Sequence, residues 1–209
     1  MLLNDCMITL AIETSTNSGT LALLKGDELV LSEEFAADRS LGSLLFEPLQ
    51  KAVELASQVD QIVVGLGPGS YSGVRIAISA AMGISVSTGA KLLGISSLIG
   101  MGTTEDSYIA IGDARRNSFY FTLVRDRECV EGPLLLSAEE LRERLGQAGL
   151  PVFTSAPIVE FPQAQLGFPS AAILAKLAAQ GKGIISAGTL EPIYLRDPHI
   201  TMPKPIRAV

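Results

Sequence analysis

The segment Gly65-Leu66-Gly67-Pro68-Gly69-Ser70-Tyr71-Ser72-Gly73-Val74-Arg75 sets four glycines, a proline and a cation directly before a long uncharged stretch, Ile76 to Ala90. A glycine-rich turn between a strand and a helix can cradle an anion, because the free N–H groups of the first helical turn and the helix dipole both favour negative charge. Gly67, Gly69 and Arg75 are therefore candidate anion or nucleotide ligands. The spacing is not that of a Walker loop, which needs Gly-Lys-Ser/Thr, nor the Gly-x-Gly-x-x-Gly of dinucleotide sites. The competing reading is a tight strand-to-helix connection whose glycines let a neighbour pack close. Arg75 falls where a cation opposes the helix dipole, so a carboxylate or an external anion is expected beside it.

Two other turns carry groups of similar chemistry. In Glu13-Thr14-Ser15-Thr16, Glu13 and Thr14 could hold phosphate or the water shell of Mg²⁺, or the turn could satisfy its own backbone. In Asp113-Ala114-Arg115-Arg116, Asp113 and Arg115 could form an internal ion pair across a cleft or a ligand site. Nucleophilic chemistry lacks its helpers. Ser70, Ser72 and Ser79 have no histidine to activate them, since the single histidine, His199, sits in a Pro-rich tail. Histidine-based metal sites and His-dependent triads are excluded on the same count, and no metal is expected in this chain.

The chain has 209 residues, a net charge of −6 and a pI near 4.9. Such an acidic chain is a poor stand-alone binder of nucleic acid, because affinity depends on neutralising phosphates. Any tRNA contact would come through a partner. Hydrophobic residues make up 47%, yet the best candidate span is broken by Ser79, Ser85, Ser87, Thr88 and glycines, so no membrane crossing is expected. The first residues lack a basic segment and a cleavage site. Cys6 and Cys129 are too few and too far apart for a disulfide framework, which fits a reducing cytoplasm.

The elements that must position these turns follow from periodicity. Met7–Ile12, Gly19–Leu24 and Glu28–Phe35 read as strands. Leu44, Leu45, Pro48, Leu49, Ala52, Val53 and Ala56 then recur at helical spacing, with Pro48 expected to kink the helix. Ile62–Val64 is a buried strand, the uncharged stretch a second helix, and Lys91–Ile95 another strand. The order then repeats. Leu10-Ala11-Ile12 matches Ile109-Ala110-Ile111, and Thr20–Val30 matches Tyr120–Val130. A capping-box sequence, Ser137-Ala138-Glu139-Glu140, opens a helix in the second copy. Val152–Thr154 and Ala171–Ala179 supply its next strand and helix. Two consecutive βββαβα units describe an α/β protein of the actin-like ATPase architecture. The expected subdomains are residues 1–102 and 103–187, with 188–209 an extended tail that returns to the first half. The uncharged helix has no polar stripe, so it must be covered on both sides, by the chain or by a partner.

Three stretches, LAIETSTNSGTLALL, VGLGPGSYSGVRIAISAAMGIS and AIGDARRNSFYFTLV, with LLGISSL and PIYLR in support, resemble the TsaB (YeaZ) family. The resemblance spans about nine tenths of the chain, and GPGSYSGVR is its most specific element. It implies an actin-like duplicated fold and a non-catalytic subunit in bacterial tRNA threonylcarbamoyladenosine synthesis. It implies pairing with the catalytic subunit TsaD through the two helices of the first half, recruitment of the ATPase TsaE, and a homodimer when the chain is alone. Tyr71, Val74, Ile78, Ala81 and Met82 of the uncharged helix, with the Leu44, Leu45, Pro48, Leu49 ridge, are then the expected partner-binding residues. No cofactor is implied for this chain, while the complex is expected to use ATP and a metal in TsaD. The His-x-x-x-His pair of the catalytic relative falls on Ser97 and Met101 here. Glu13 stands where many members have Asp, Arg39-Ser40 where many have His followed by Ser or Thr, and Phe153–Ala156 where a glycine-rich turn is frequent. The alternative reading is an independent actin-like phosphotransferase or ATPase using Glu13, Asp113 and the glycine loop.

Overall fold

Strand β1 (Ile8–Glu13) sends Leu10 and Ile12 to one side of a sheet and Ala11 to the other, as period-two alternation requires. It pairs antiparallel with β2 (Ser18–Lys25), which pairs antiparallel with β3 (Glu28–Ala36). Helix α1 (Leu41–Leu55) crosses to β4 (Gln61–Gly65), which lies parallel to β1, and α2 (Tyr71–Thr88) crosses to β5 (Lys91–Ile95). A 3₁₀ turn, Ser97–Gly100, leads into the second copy. There β6 (Tyr108–Asp113), β7 (Phe119–Arg125) and β8 (Glu128–Leu136) repeat the antiparallel meander. Helix α3 (Ala138–Ala148) then crosses to β9 (Val152–Thr154), parallel to β6. The short β10 (Gln165–Leu166), α4 (Ala171–Ala179) and β11 (Ile184–Ala187) complete the chain's regular structure. This computed structural model describes residues 6–36, 41–56 and 58–196. Arg39, Ser40 and His199 lie outside the described residues.

The two copies found in the sequence are thus two sheets, ordered β11-β5-β4-β1-β2-β3 and β10-β9-β6-β7-β8. The fold is the actin-like α/β duplication. On the outer face of the first sheet, α1 and α2 bury Leu45, Leu49, Ala52, Val74, Ala77, Ile78 and Ala81 against Leu10, Ile12, Leu21, Leu23, Ile62 and Val64. On the outer face of the second, Leu141 of α3 and the 158–161 segment cover Ile109, Ile111, Phe119 and Phe121. The capping box of α3 is present, with Glu140 Oε2 accepting from the Ser137 N–H at 2.7 Å. Among the described residues no helix is long and apolar enough to cross a membrane.

Across the expected divisions at 102/103 and 187/188, the last elements of the second half pack on the first. Helix α4 packs between the sheets, with Ala171, Leu174, Ala175 and Ala178 against Ala11, Ala22 and Val63 of the first sheet and Tyr108, Ala110 and Phe153 of the second. Small residues on both sides let helix and strands approach closely. The Thr20 hydroxyl of the first half accepts the Ala171 N–H at 2.8 Å, where Ser170, the N-cap residue, makes no side-chain bond. β11 pairs with β5 and so belongs to the first sheet. The tail does return to the first half, where the Ile193 N–H bonds the Leu66 carbonyl at 2.8 Å.

One arginine fastens the segment that joins the halves. Arg127, in the β7–β8 turn, donates to the Met101 carbonyl at 2.8 Å and to the Thr103 carbonyl, and pairs with Asp106 at 3.0 Å. Its guanidinium lies 5.5 Å from the centroid of the Tyr108 ring. Burial pushes the Tyr108 phenol up to about 12, so its hydroxyl remains a donor to the Leu98 carbonyl, at 2.7 Å, throughout the physiological range. Arg127→Met leaves these carbonyls without their charged donor, and about 2–4 kcal/mol of stability should be lost. Arg127→Lys should recover less than half of that, because an ammonium has no planar fork to span two carbonyls. Urea unfolding midpoints check both, and equal stability of all three proteins would show that the fork carries no weight.

Candidate functional site

The glycine loop and the Glu13 turn meet, but as packing partners. The Ser15 carbonyl accepts the Ser70 N–H at 2.6 Å, and the Thr14 hydroxyl donates to the Gly73 carbonyl at 2.8 Å. A Cβ on Gly69 would fall inside contact distance of the Ser15 carbonyl oxygen, on Gly73 of the Thr14 carbonyl oxygen, and on Gly65 of the Glu13 carboxylate. These glycines are therefore where the β1–β2 turn presses its backbone and carboxylate against the loop. Gly67 has φ +83°, a left-handed conformation that suits glycine. Its N–H bonds the Ser97 hydroxyl at 2.9 Å.

Glu13 is fully buried. Its Oε1 accepts the Ser15 N–H at 2.6 Å and its Oε2 the Ser97 hydroxyl at 2.6 Å. Burial pushes its carboxyl above the ordinary range, and the Ser15 and Ser97 hydrogen bonds pull the other way. Both carboxylate oxygens are thus engaged inside the chain, and the self-satisfying turn is the reading this geometry favours over phosphate or Mg²⁺. Ser97 ties Glu13 to Gly67. Met101 is buried, and its carbonyl takes the Arg127 bond.

Asp113 and Arg115 lie at a different place, in the β6–β7 turn. Asp113 Oδ1 accepts the Arg115 N–H at 2.6 Å, and the Arg115 side chain is 3.6 Å from Oδ2. This ion pair is exposed and local to its turn. Arg115, Arg116 and Asn117 all have positive φ, and Arg196 from the tail donates to the Arg115 carbonyl at 3.3 Å. A polar concavity of about 670 Å³ opens beside them toward Ile158 and Glu160.

Among the described residues no carboxylate pairs with Arg75, where a carboxylate or an external anion was expected. Helix α2 starts at Tyr71, which puts Arg75 beyond the first four positions and eases its conflict with the dipole. Its partners are aromatic, Tyr71 and Tyr194.

The uncharged helix is covered on one side only. Gly73, Val74, Ala77, Ile78 and Ala81 face the sheet, while Ser79, Met82, Gly83 and Val86 are exposed, Val86 at 88%. Between this open side and α1 runs an apolar groove of about 770 Å³, walled by Phe46, Val53, Ile76, Ala80 and Ile84. Phe46 is 69% exposed. Lys51 of α1 bonds Glu47 at 3.2 Å and Glu33 of β3 at 3.4 Å, and Glu54 accepts from Gln50 at 2.7 Å.

Of the nine expected partner-binding residues, only Leu44, Tyr71 and Met82 are exposed. Leu45, Pro48, Leu49, Val74, Ile78 and Ala81 are buried in the chain, and of these Leu45 and Leu49 also line the groove. The groove residues Phe46, Val53, Ile76, Ala80, Gly83 and Ile84 were missed. Their signal was a second stripe at i, i+4, i+7, one residue out of phase with the first.

A sequence profile described as TsaD, tRNA N6-adenosine threonylcarbamoyltransferase, matches residues 38–141. An uncharacterised protein of Mycobacterium leprae is similar to the chain at 30% identity over 213 residues, covering 96% of this chain and 57% of that protein. The chain thus spans little more than half the length of that relative. The tRNA threonylcarbamoyladenosine biosynthesis protein TsaB of Haemophilus influenzae is 27% identical over 219 residues, covering 90% of this chain and 93% of that protein. A solved Pseudomonas aeruginosa structure, described as an uncharacterised protein with similarity to peptidase YeaZ, has a TM-score of 0.69 at 26% identity. That match covers 91% of this chain and the whole of the other.

Proposed function

Because the chain belongs to the TsaB (YeaZ) family, we propose that it serves tRNA threonylcarbamoyladenosine biosynthesis as a non-catalytic scaffold that docks the transferase subunit TsaD on its α1–α2 face. The scaffold holds TsaD in its active form and helps recruit the ATPase TsaE. The complex transfers a threonylcarbamoyl group to N6 of adenosine 37 of tRNA, with the catalytic groups on the partner. The observation that carries this reading is the open apolar groove between two helices, in whose lining Arg75 is the single charged residue. A second helix pair laid into it would complete a four-helix bundle and remove this surface from water. The closed packing of the Glu13 turn on the glycine loop supports the same reading against an independent phosphotransferase.

The test uses groove positions that are exposed, as Val53 is, or half-buried, as Ala80 is, since Ala81 and Leu45 are core residues whose replacement would probe folding. Ala80→Arg and Val53→Asp should each weaken association with TsaD by more than about 100-fold and abolish adenosine modification. Both should leave the unfolding midpoint near that of the parent protein. Undiminished pairing would move the interface elsewhere, and ATP hydrolysis or tRNA modification by the lone chain would overturn the scaffold reading.

The same groove should close on a second copy when TsaD is absent. Sedimentation should then show a dimer for the parent chain and a monomer for Ala80→Arg.

A further inference from the structure

Arg75 stands at the rim of the α1–α2 groove, on the exposed side of α2. Its guanidinium carbon lies 4.2 Å from the centroid of the Tyr71 ring, and its Nε donates to the Tyr194 hydroxyl at 3.0 Å. The two rings are 5.5 Å apart and tilted by 33°. Tyr194 is carried there by the returning C-terminal segment, seated through Ile193 on Leu66. Tyr71 and Tyr194 are themselves half exposed.

Two aromatic contacts and one hydrogen bond hold a side chain that would otherwise sample many rotamers, so much of its ordering cost is met before a partner arrives. The contacts engage the flat face and the Nε edge. They leave both Nη groups, the part of the fork that grips a carboxylate through two parallel bonds. Among the described residues neither Nη makes a hydrogen bond, and no carboxylate lies within 4.0 Å of the guanidinium. Tyrosine and arginine are the side chains that most often anchor protein interfaces. The surface continues directly into the apolar wall of Ile76 and Ala80.

We propose that Tyr71, Arg75 and Tyr194 form the charge-reading end of the docking surface, where Arg75 grips an Asp or Glu carboxylate beside an apolar helix of TsaD. This rests on the docking surface proposed above. A carboxylate at that end fixes the direction and register of a helix that an apolar groove alone would accept in several positions. The C-terminal segment becomes part of the recognition surface, because it supplies Tyr194.

Association of the purified chain with TsaD, measured at low and high salt, tests the grip. Arg75→Met should weaken binding by about 30-fold and flatten its salt dependence, with an unchanged unfolding midpoint. Arg75→Lys should recover only part of the affinity. If Arg75→Met binds within about twofold of the parent while Ala80→Arg does not bind, the groove stands and the carboxylate grip is wrong. If Ala80→Arg also binds normally, the docking surface is wrong and the grip falls with it. If Arg75→Met weakens the homodimer and spares the TsaD complex, the cluster reads a second copy, which overturns the assignment to TsaD.

Discussion

Gly73→Ala is expected to cost the chain about 3 kcal/mol or more, although alanine is the better helix former. Gly73 lies in the first turn of α2, where its N–H is capped by the Ser70 hydroxyl at 3.2 Å and its carbonyl takes the Thr14 hydroxyl. A methyl group there meets the Thr14 carbonyl oxygen, an atom fixed at the end of β1. Relief requires either the β1–β2 turn or the start of α2 to move, and each is tied to the other by several hydrogen bonds. Gly83 in the same helix is the control. A Cβ there has nothing within 4 Å, so Gly83→Ala should raise stability by about 0.5–1 kcal/mol. Urea unfolding of the two variants should give shifts of opposite sign. A neutral or stabilising Gly73→Ala would mean that the contact between turn and loop is looser than the hydrogen bonds indicate.

Glu13 carries the second large effect. Glu13→Ala removes the acceptor of the Ser15 N–H and of the Ser97 hydroxyl inside a closed site, and about 2–5 kcal/mol of stability should be lost. The pH dependence has a definite sign. Burial raises the carboxyl above its ordinary value of 4.5, so the folded chain holds that proton more tightly than the unfolded chain. The resulting stabilisation is complete below the unfolded value and is lost as pH rises through the folded one. Glu13→Gln cannot ionise. The parent should therefore lose stability relative to Glu13→Gln as pH is raised above 4.5, as read from paired denaturation midpoints. A relative gain for the parent over that range would mean that the ionised carboxylate is the form the site prefers.

Much of the scaffold was legible because its signals are local. Alternation gave β1, β2 and β3, the same order recurred a hundred residues on as β6, β7 and β8, and the Ser137–Glu140 spacing gave the start of α3. The candidate site was legible as a place and less so as a set of residues. Leu45 and Phe46 are adjacent and both line the groove, yet Leu45 is buried against the sheet and Phe46 stands exposed. Periodicity shows that α1 and α2 each carry two apolar stripes. It cannot say which stripe faces the chain's own sheet, since that depends on how the sheet twists beneath them. The glycine loop has the same difficulty. Its close neighbours, Thr14 and Ser15, and the Tyr194 partner of Arg75 are joined to it only by long-range packing. A phosphate cradle and a tightly packed connection ask for similar glycines, and the distant turn decides between them.

The late arrival of α4 and β11 bears on how this chain is made. The inner face of the first sheet is sealed by α4, and its β5 edge is paired only by β11, which ends at Ala187. During translation, strands β1 to β5 must therefore wait for nearly the whole chain before either covering is available. A nascent chain stopped at the apparent junction between halves would expose Ala11, Ala22 and Val63 on one face while the α1–α2 groove lay open on the other. The first half should therefore not fold on its own, and nonsense truncations within the second half should be cleared as misfolded chains. For the same reason the duplication visible in the sequence does not mark two separable modules: the second copy's last elements finish the first.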